Sequence, residues 1–276
     1  MIYIQGDSIS NYIGSLLFFK VDYFETYIEN FTNNNNFTSN ILKKFPKNKP
    51  LIFVTKIELL NQFYSKVIPL LNRRFILITH YSDKQAGFHN KILKHRLLIK
   101  WYGQNMGIIS KKTEAIPIGL ENMYWKRTNL EIIKNNSRNN KNKLLYLNFS
   151  LHTYSDRNKI MNIILDKGFK KNDKLSWNDY IKDLSEHKFC ISPRGNGVDS
   201  HRTWECLYLG VIPIVKNSVH MSYFKDLPIL FIDNYDNISI EYLNKVYDEF
   251  QNKKFNLEKL DIKYWESKIK KECKFK

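Results

Sequence analysis

Phe189-Cys-Ile-Ser-Pro-Arg-Gly-Asn-Gly-Val-Asp-Ser-His-Arg-Thr-Trp-Glu-Cys-Leu-Tyr-Leu-Gly-Val-Ile-Pro-Ile-Val215 is the stretch that decides the fold. Residues 188–192 and 211–215 are short, apolar and β-rich, and Gly and Pro punctuate them, so both predict buried strands. Between them, residues 200–209 carry apolar side chains at helical spacing. Gly210 then sits where a helix often ends in a left-handed residue. A strand, a loop, a helix and a strand in that order predict two parallel strands joined by a crossover.

The same pattern extends outward. Residues 144–148 and 229–233 read as further strands, residues 156–165 and 177–186 as helices, and the tail from residue 240 as mostly helical. In the first half, residues 1–5, 51–54, 75–79, 98–102 and 115–118 are strand candidates, and residues 58–71 are helical. Short apolar strands alternating with helices predict an α/β fold with parallel sheets covered on both faces. The stretch Lys134-Asn-Asn-Ser-Arg-Asn-Asn-Lys-Asn-Lys143 has no apolar residue and falls near the middle. It predicts a joint between residues 1–140 and 141–276, two Rossmann-like halves facing a cleft.

Composition narrows the classes of function. The chain has 276 residues, 43% hydrophobic and 14% aromatic, enough apolar surface to exclude wholesale disorder. Three cysteines, Cys190, Cys206 and Cys273, form no paired spacing and exclude a disulfide framework. No apolar run reaches the ~18 residues of a membrane span. Residues 13–21 lack the basic lead of a signal peptide, so the expected setting is cytoplasmic. The net charge of +17 has two readings. It is a field for anionic partners, or it is the Lys- and Asn-rich output of an AT-rich genome. A nucleic-acid-binding protein would use such a charge, but no RNP, zinc-finger or helix-turn-helix signature accompanies it.

The quoted string also concentrates chemistry. A loop between a strand and a helix lies at the carboxyl edge of a parallel sheet, where ligands bind in open α/β folds. Gly195 and Gly197 would let the backbone turn close to a ligand. Ser192 precedes them, and Ser200 is placed to cap the helix. The helix N-terminus offers free N–H groups to a diphosphate, and Arg194 and Arg202 add forked donors. His201, Arg202 and Glu205 share a helix face, where a carboxylate can accept from ribose hydroxyls. In the plainer alternative, Glu205 pairs with Arg202 and the glycines form an ordinary loop.

This string resembles the exostosin-like glycosyltransferases, family 47 of the glycosyltransferases. Three blocks of the first half look similar to those preceding it in small, single-module members: Thr79-His-Tyr-Ser-Asp83, Lys100-Trp-Tyr-Gly-Gln-Asn105 and Ile116-Pro-Ile-Gly-Leu-Glu-Asn122. Leu147-Asn-Phe-Ser150 with Arg157 resembles the block that opens the second half. The resemblance implies a GT-B fold, with a glycan acceptor on the first half and a nucleotide-sugar donor, carried on uridine diphosphate, on the second. It implies inverting transfer without an essential metal or other cofactor, and the chain contains no Asp-x-Asp triplet. Ser150, Arg157 and the 192–205 residues named above would then bind the donor. Inverting transfer needs a base for the acceptor hydroxyl. His80 is the first candidate, then Asp7, then Asp83. A catalytically inactive, sugar-binding relative is the remaining alternative. The last helix would pack back on the first half, as it often does in GT-B proteins.

Overall fold

The computed structural model describes residues 50–121 and 129–274. The expected strand at residues 1–5, Asp7, and Asn122 of the third block lie outside them. The chain divides into two compact units, with breaks after Ile118 and after Leu260. The expected joint at Lys134–Lys143 instead falls inside the second unit. Residues 130–136 form a helix there and residue 143 begins a strand, so the polar run is a surface turn between two elements. The C-terminal segment from Asp261 belongs to the first unit.

In the first unit, β1 (Leu51–Thr55), β2 (Phe75–Thr79), β3 (Leu98–Gly103) and β4 (Thr113–Ala115) form a parallel sheet in that order. Every residue of β1 and β2 is buried, so both faces of these strands are covered. The register aligns Val54 with Ile78 and Ile78 with Tyr102. Phe53, Phe63 and Phe75 pack edge to face, 5.0–6.0 Å between ring centroids. The expected helix over residues 58–71 is a chain of short turns, and Pro69 is the second residue of the last, Ile68–Leu70. β4 ends at Ala115, short of the expected strand over residues 115–118. A one-turn helix, α1 (Asn90–Leu93), precedes β3. The final helix, Ile262–Glu272, buries Ile262, Trp265 and Ile269, and Lys268 meets Glu114 at 2.9 Å.

The second unit repeats the design. It contains α2 (Leu130–Asn136), β5 (Lys143–Tyr146), α3 (Arg157–Asp166), α4 (Trp177–Ser185) and β6 (His187–Ile191). There follow α5 (His201–Tyr208), β7 (Ile212–Lys216), α6 (Val219–Ser222), β8 (Leu230–Ile232) and α7 (Ile240–Gln251). The sheet is parallel, in the order β5-β6-β7-β8. Leu147, Ile164, Phe189, Ile191, Ile214, Ile238 and Leu243 lie in one core cluster. Gly210 closes α5 at φ 68°, where a side chain would be strained. Two four-stranded parallel α/β units are therefore observed. No helix among the described residues is long and apolar enough to cross a membrane.

Candidate functional site

All strands of the second unit run the same way, so the loops after β5 and β6 share one edge of the sheet. Arg157, at the start of α3, ties these loops together. Its Nη1 donates to the Ser150 carbonyl at 2.8 Å, its Nη2 to Pro193 O at 2.9 Å and its Nε to Arg194 O at 2.8 Å. The side chain is buried. Burial, then the Arg202 charge, lowers its pKa to about 10. Arg157 is therefore a clamp between loops, its five N–H donors largely engaged by backbone carbonyls. Three of those donors hold backbone carbonyls of the two loops.

The loop so held displays Arg194, which is half-buried. Its guanidinium lies 4.4 Å from the centroid of the Tyr154 ring. Nη2 donates to Asn196 O at 2.9 Å and Nε to Gly195 O at 3.3 Å. Nη1 makes no hydrogen bond to a described residue, so a forked donor remains for a ligand. Ser150 is exposed in the facing loop.

Gly195 and Gly197 have no positive φ. A Cβ at Gly195 would meet its nearest neighbours, Arg157 Nη2 and Thr153 Oγ1, at 3.5 and 3.7 Å, ordinary contact. The turn therefore does not require glycine at residue 195. Ser192 is buried, with its hydroxyl 2.9 Å from Thr203 Oγ1. It joins the loop to α5 from beneath. Ser200 occupies the cap position of α5 with extended backbone, but its side chain makes no capping bond.

The acid that matters there is Asp199, which the sequence reading passed over. Its buried carboxylate accepts from Ser200 N at 2.9 Å and Trp204 Nε1 at 2.8 Å, and lies 3.1 Å from His220 Nε2. An Asp just before a Ser at a helix start was the available signal.

The helix face behaves differently from expectation. Arg202 Nη1 donates to the Asn148 carbonyl, and the guanidinium lies over the rings of Tyr180 and Tyr146 at 5.3 and 5.9 Å. Burial opposes its charge, but Tyr180, Cys190, Glu205 and Cys206 outweigh burial and hold its pKa above the ordinary value. Both oxygens of Glu205 accept from α4, one from Tyr180 Oη at 2.8 Å and one from Trp177 Nε1 at 3.4 Å. Among the described residues this carboxylate forms no direct ion pair with Arg202, and it fastens α5 to α4. His201 is half-buried, and its Nδ1 donates to Gly119 O at 2.7 Å. In the neutral ring that bond puts the proton on Nδ1 and leaves Nε2 as an acceptor.

The candidate bases separate. His80, after β2, is 3% exposed, and its Nε2 lies 3.2 Å from Pro117 O. The carbonyl only accepts, so that nitrogen carries the proton and is not the one that removes another. Asp83 is exposed in the same loop. Asp7 lies outside the described residues. Tyr81 and Asn105, at φ 62° and 54°, brace this edge in left-handed conformations. Tyr81 N donates to Gln104 Oε1, and Asn105 Nδ2 donates to Ser82 O.

No family model matches the chain, and no curated protein matches it significantly.

Proposed function

We propose that the protein is a glycosyltransferase of the GT-B, exostosin-like type, moving a sugar from a nucleotide-sugar to a glycan hydroxyl with inversion. The observation that carries this reading is the pair of loops clamped by Arg157 at the carboxyl edge of the second sheet. One of them is the loop that carries Arg194 between β6 and α5. The donor diphosphate sits against the Arg194 Nη1 group, the His201 and Arg202 N–H groups at the α5 N-terminus and the exposed Ser150 hydroxyl. His201 Nε2 accepts from a ribose or sugar hydroxyl. Arg194 and the helix terminus stabilise the negative charge that grows on the leaving diphosphate. The base comes from the first unit, where Asp83 is the exposed candidate.

Calorimetry with uridine diphosphate tests the site, and hydrolysis of a panel of uridine-diphosphate sugars tests the reaction. Saturable nucleotide binding that weakens in Arg194→Ala is expected, followed by turnover of at least one sugar nucleotide. Nucleotide binding that is absent, or indifferent to Arg194, removes the reading.

A further inference from the structure

The first unit carries an open depression. It lies at the opposite end of the sheet from the loop of Asp83, where β2 and β3 begin. The helical turns over residues 64–71 and the turn before β3 border about 500 Å³, within the range of small-molecule sites. Ile68, Leu71 and Leu97 give it buried apolar walls. Tyr64, His95 and Arg96 supply polar groups.

Two of these groups are arranged as donors. Leu97 N donates to His95 Nδ1 at 3.3 Å, so the neutral ring carries its proton on Nε2. Arg96 is exposed, and its guanidinium forms no ion pair with a described residue. No carboxylate is among the described residues lining the cavity. The local field is positive. Burial lowers the His95 pKa, and the Arg96 and Lys112 charges lower it further. Lys112 Nζ donates to His95 O at 2.9 Å, which fixes that cation beside the ring.

We propose that this cavity binds a small organic anion, its apolar body against Ile68, Leu71 and Leu97 and its phosphate or carboxylate on the Arg96 guanidinium and the His95 Nε2–H. An apolar wall beside uncompensated donors fits a molecule with one charged end, and it excludes cations. The inference is independent of the glycosyltransferase reading.

Phenyl phosphate and benzoate are the probes, with phenol and inorganic phosphate as the halves of the first. The His95 ring resonances, followed by NMR, report binding. One or both aryl anions should shift them saturably, and the tighter of the two identifies the charged group. Phenol and inorganic phosphate should each bind at least about tenfold more weakly. Arg96→Gln, a change on the surface, should weaken binding about tenfold or more, as loss of a charge-assisted hydrogen bond does. Ser65→Trp, which fills the cavity from an exposed position, should abolish it. Added uridine diphosphate should leave the response in place. The proposal is overturned if neither aryl anion moves His95 at millimolar concentration, if Arg96→Gln binds as the wild type does, if phenol binds as tightly, or if uridine diphosphate displaces the probe.

Discussion

Arg194 and Tyr154 stack at 4.4 Å although they leave different strands of the second sheet, β6 and β5. The contact sets the direction of a cation whose other hydrogen bonds to described residues go to its own loop, through Gly195 O and Asn196 O. Such a stack contributes ~0.5–1 kcal/mol where it is exposed. Its larger effect is to limit the rotamers of a long side chain before a ligand arrives.

Arg194→Ala should therefore weaken binding of uridine diphosphate by ~1.5–3 kcal/mol, roughly ten- to hundredfold in Kd. Tyr154→Ala should weaken it less, by ~0.5–1 kcal/mol, because the charge remains while its placement loosens. Calorimetry on both variants checks the order, and an equal or greater loss in Tyr154→Ala would make the ring itself a ligand contact.

Arg157 should behave as a structural clamp. Arg157→Met leaves the Ser150, Pro193 and Arg194 carbonyls without their donor, and should lower folding stability by about 3 kcal/mol or more. Arg157→Lys keeps a charge but cannot reach three carbonyls, so it should be destabilised almost as much. Urea unfolding measures both. A variant with wild-type stability and lost nucleotide binding would return Arg157 to the phosphate.

The contrast between these two arginines shows what the sequence could and could not disclose. The fold was legible because burial on both faces writes itself as unbroken apolar runs, such as Leu51–Thr55 and Phe75–Thr79. The edge carrying the site followed from strand order alone. Side-chain roles did not follow. Arg157 and Pro193 are 36 residues apart, and a guanidinium suits a carbonyl as well as a phosphate. Glu205 shares a helix face with Arg202, yet both turn to α4 and β5, whose aromatic rings the helical spacing does not reveal. Ser200 stands at the cap position by backbone, while Asp199 supplies the acceptor for its N–H.

Lys141 gives a pH signature. Its Nζ donates to the carbonyls of Ser185 and Leu209, at the C-terminal ends of α4 and α5. Burial lowers its pKa to about 8, against an upward pull from Cys206. The unfolded chain then binds more protons than the folded one between pH 8 and the ordinary lysine value of about 10.5. Stability contributed by this site rises with pH across that window and is flat below it. Urea unfolding of the wild type against Lys141→Met, at several values across the window, isolates the effect. The wild type should gain on the variant as pH rises, and a constant or shrinking difference would contradict the lowered pKa.

The base is the remaining assignment, and the two candidates among the described residues should now part. His80 is buried against Pro117 O, and its backbone N–H donates to Thr55 O at 3.1 Å, so it holds the end of β2 to β1. Asp83 stands exposed three residues later, on a loop braced by Ser82, whose hydroxyl donates to Glu58 at 2.8 Å and accepts from Lys84 N. If Asp83 takes the acceptor proton, Asp83→Asn should cut transfer by ~100–10,000-fold, the usual worth of a general base, and leave nucleotide affinity unchanged. His80→Ala should instead lower the unfolding midpoint, with transfer by the folded fraction falling far less. Single-turnover transfer, corrected for folded protein, separates the two. A large loss in His80→Ala with Asp83→Asn near wild type would restore the imidazole as base. Wild-type rates in both would leave Asp7 as the carboxylate to substitute next.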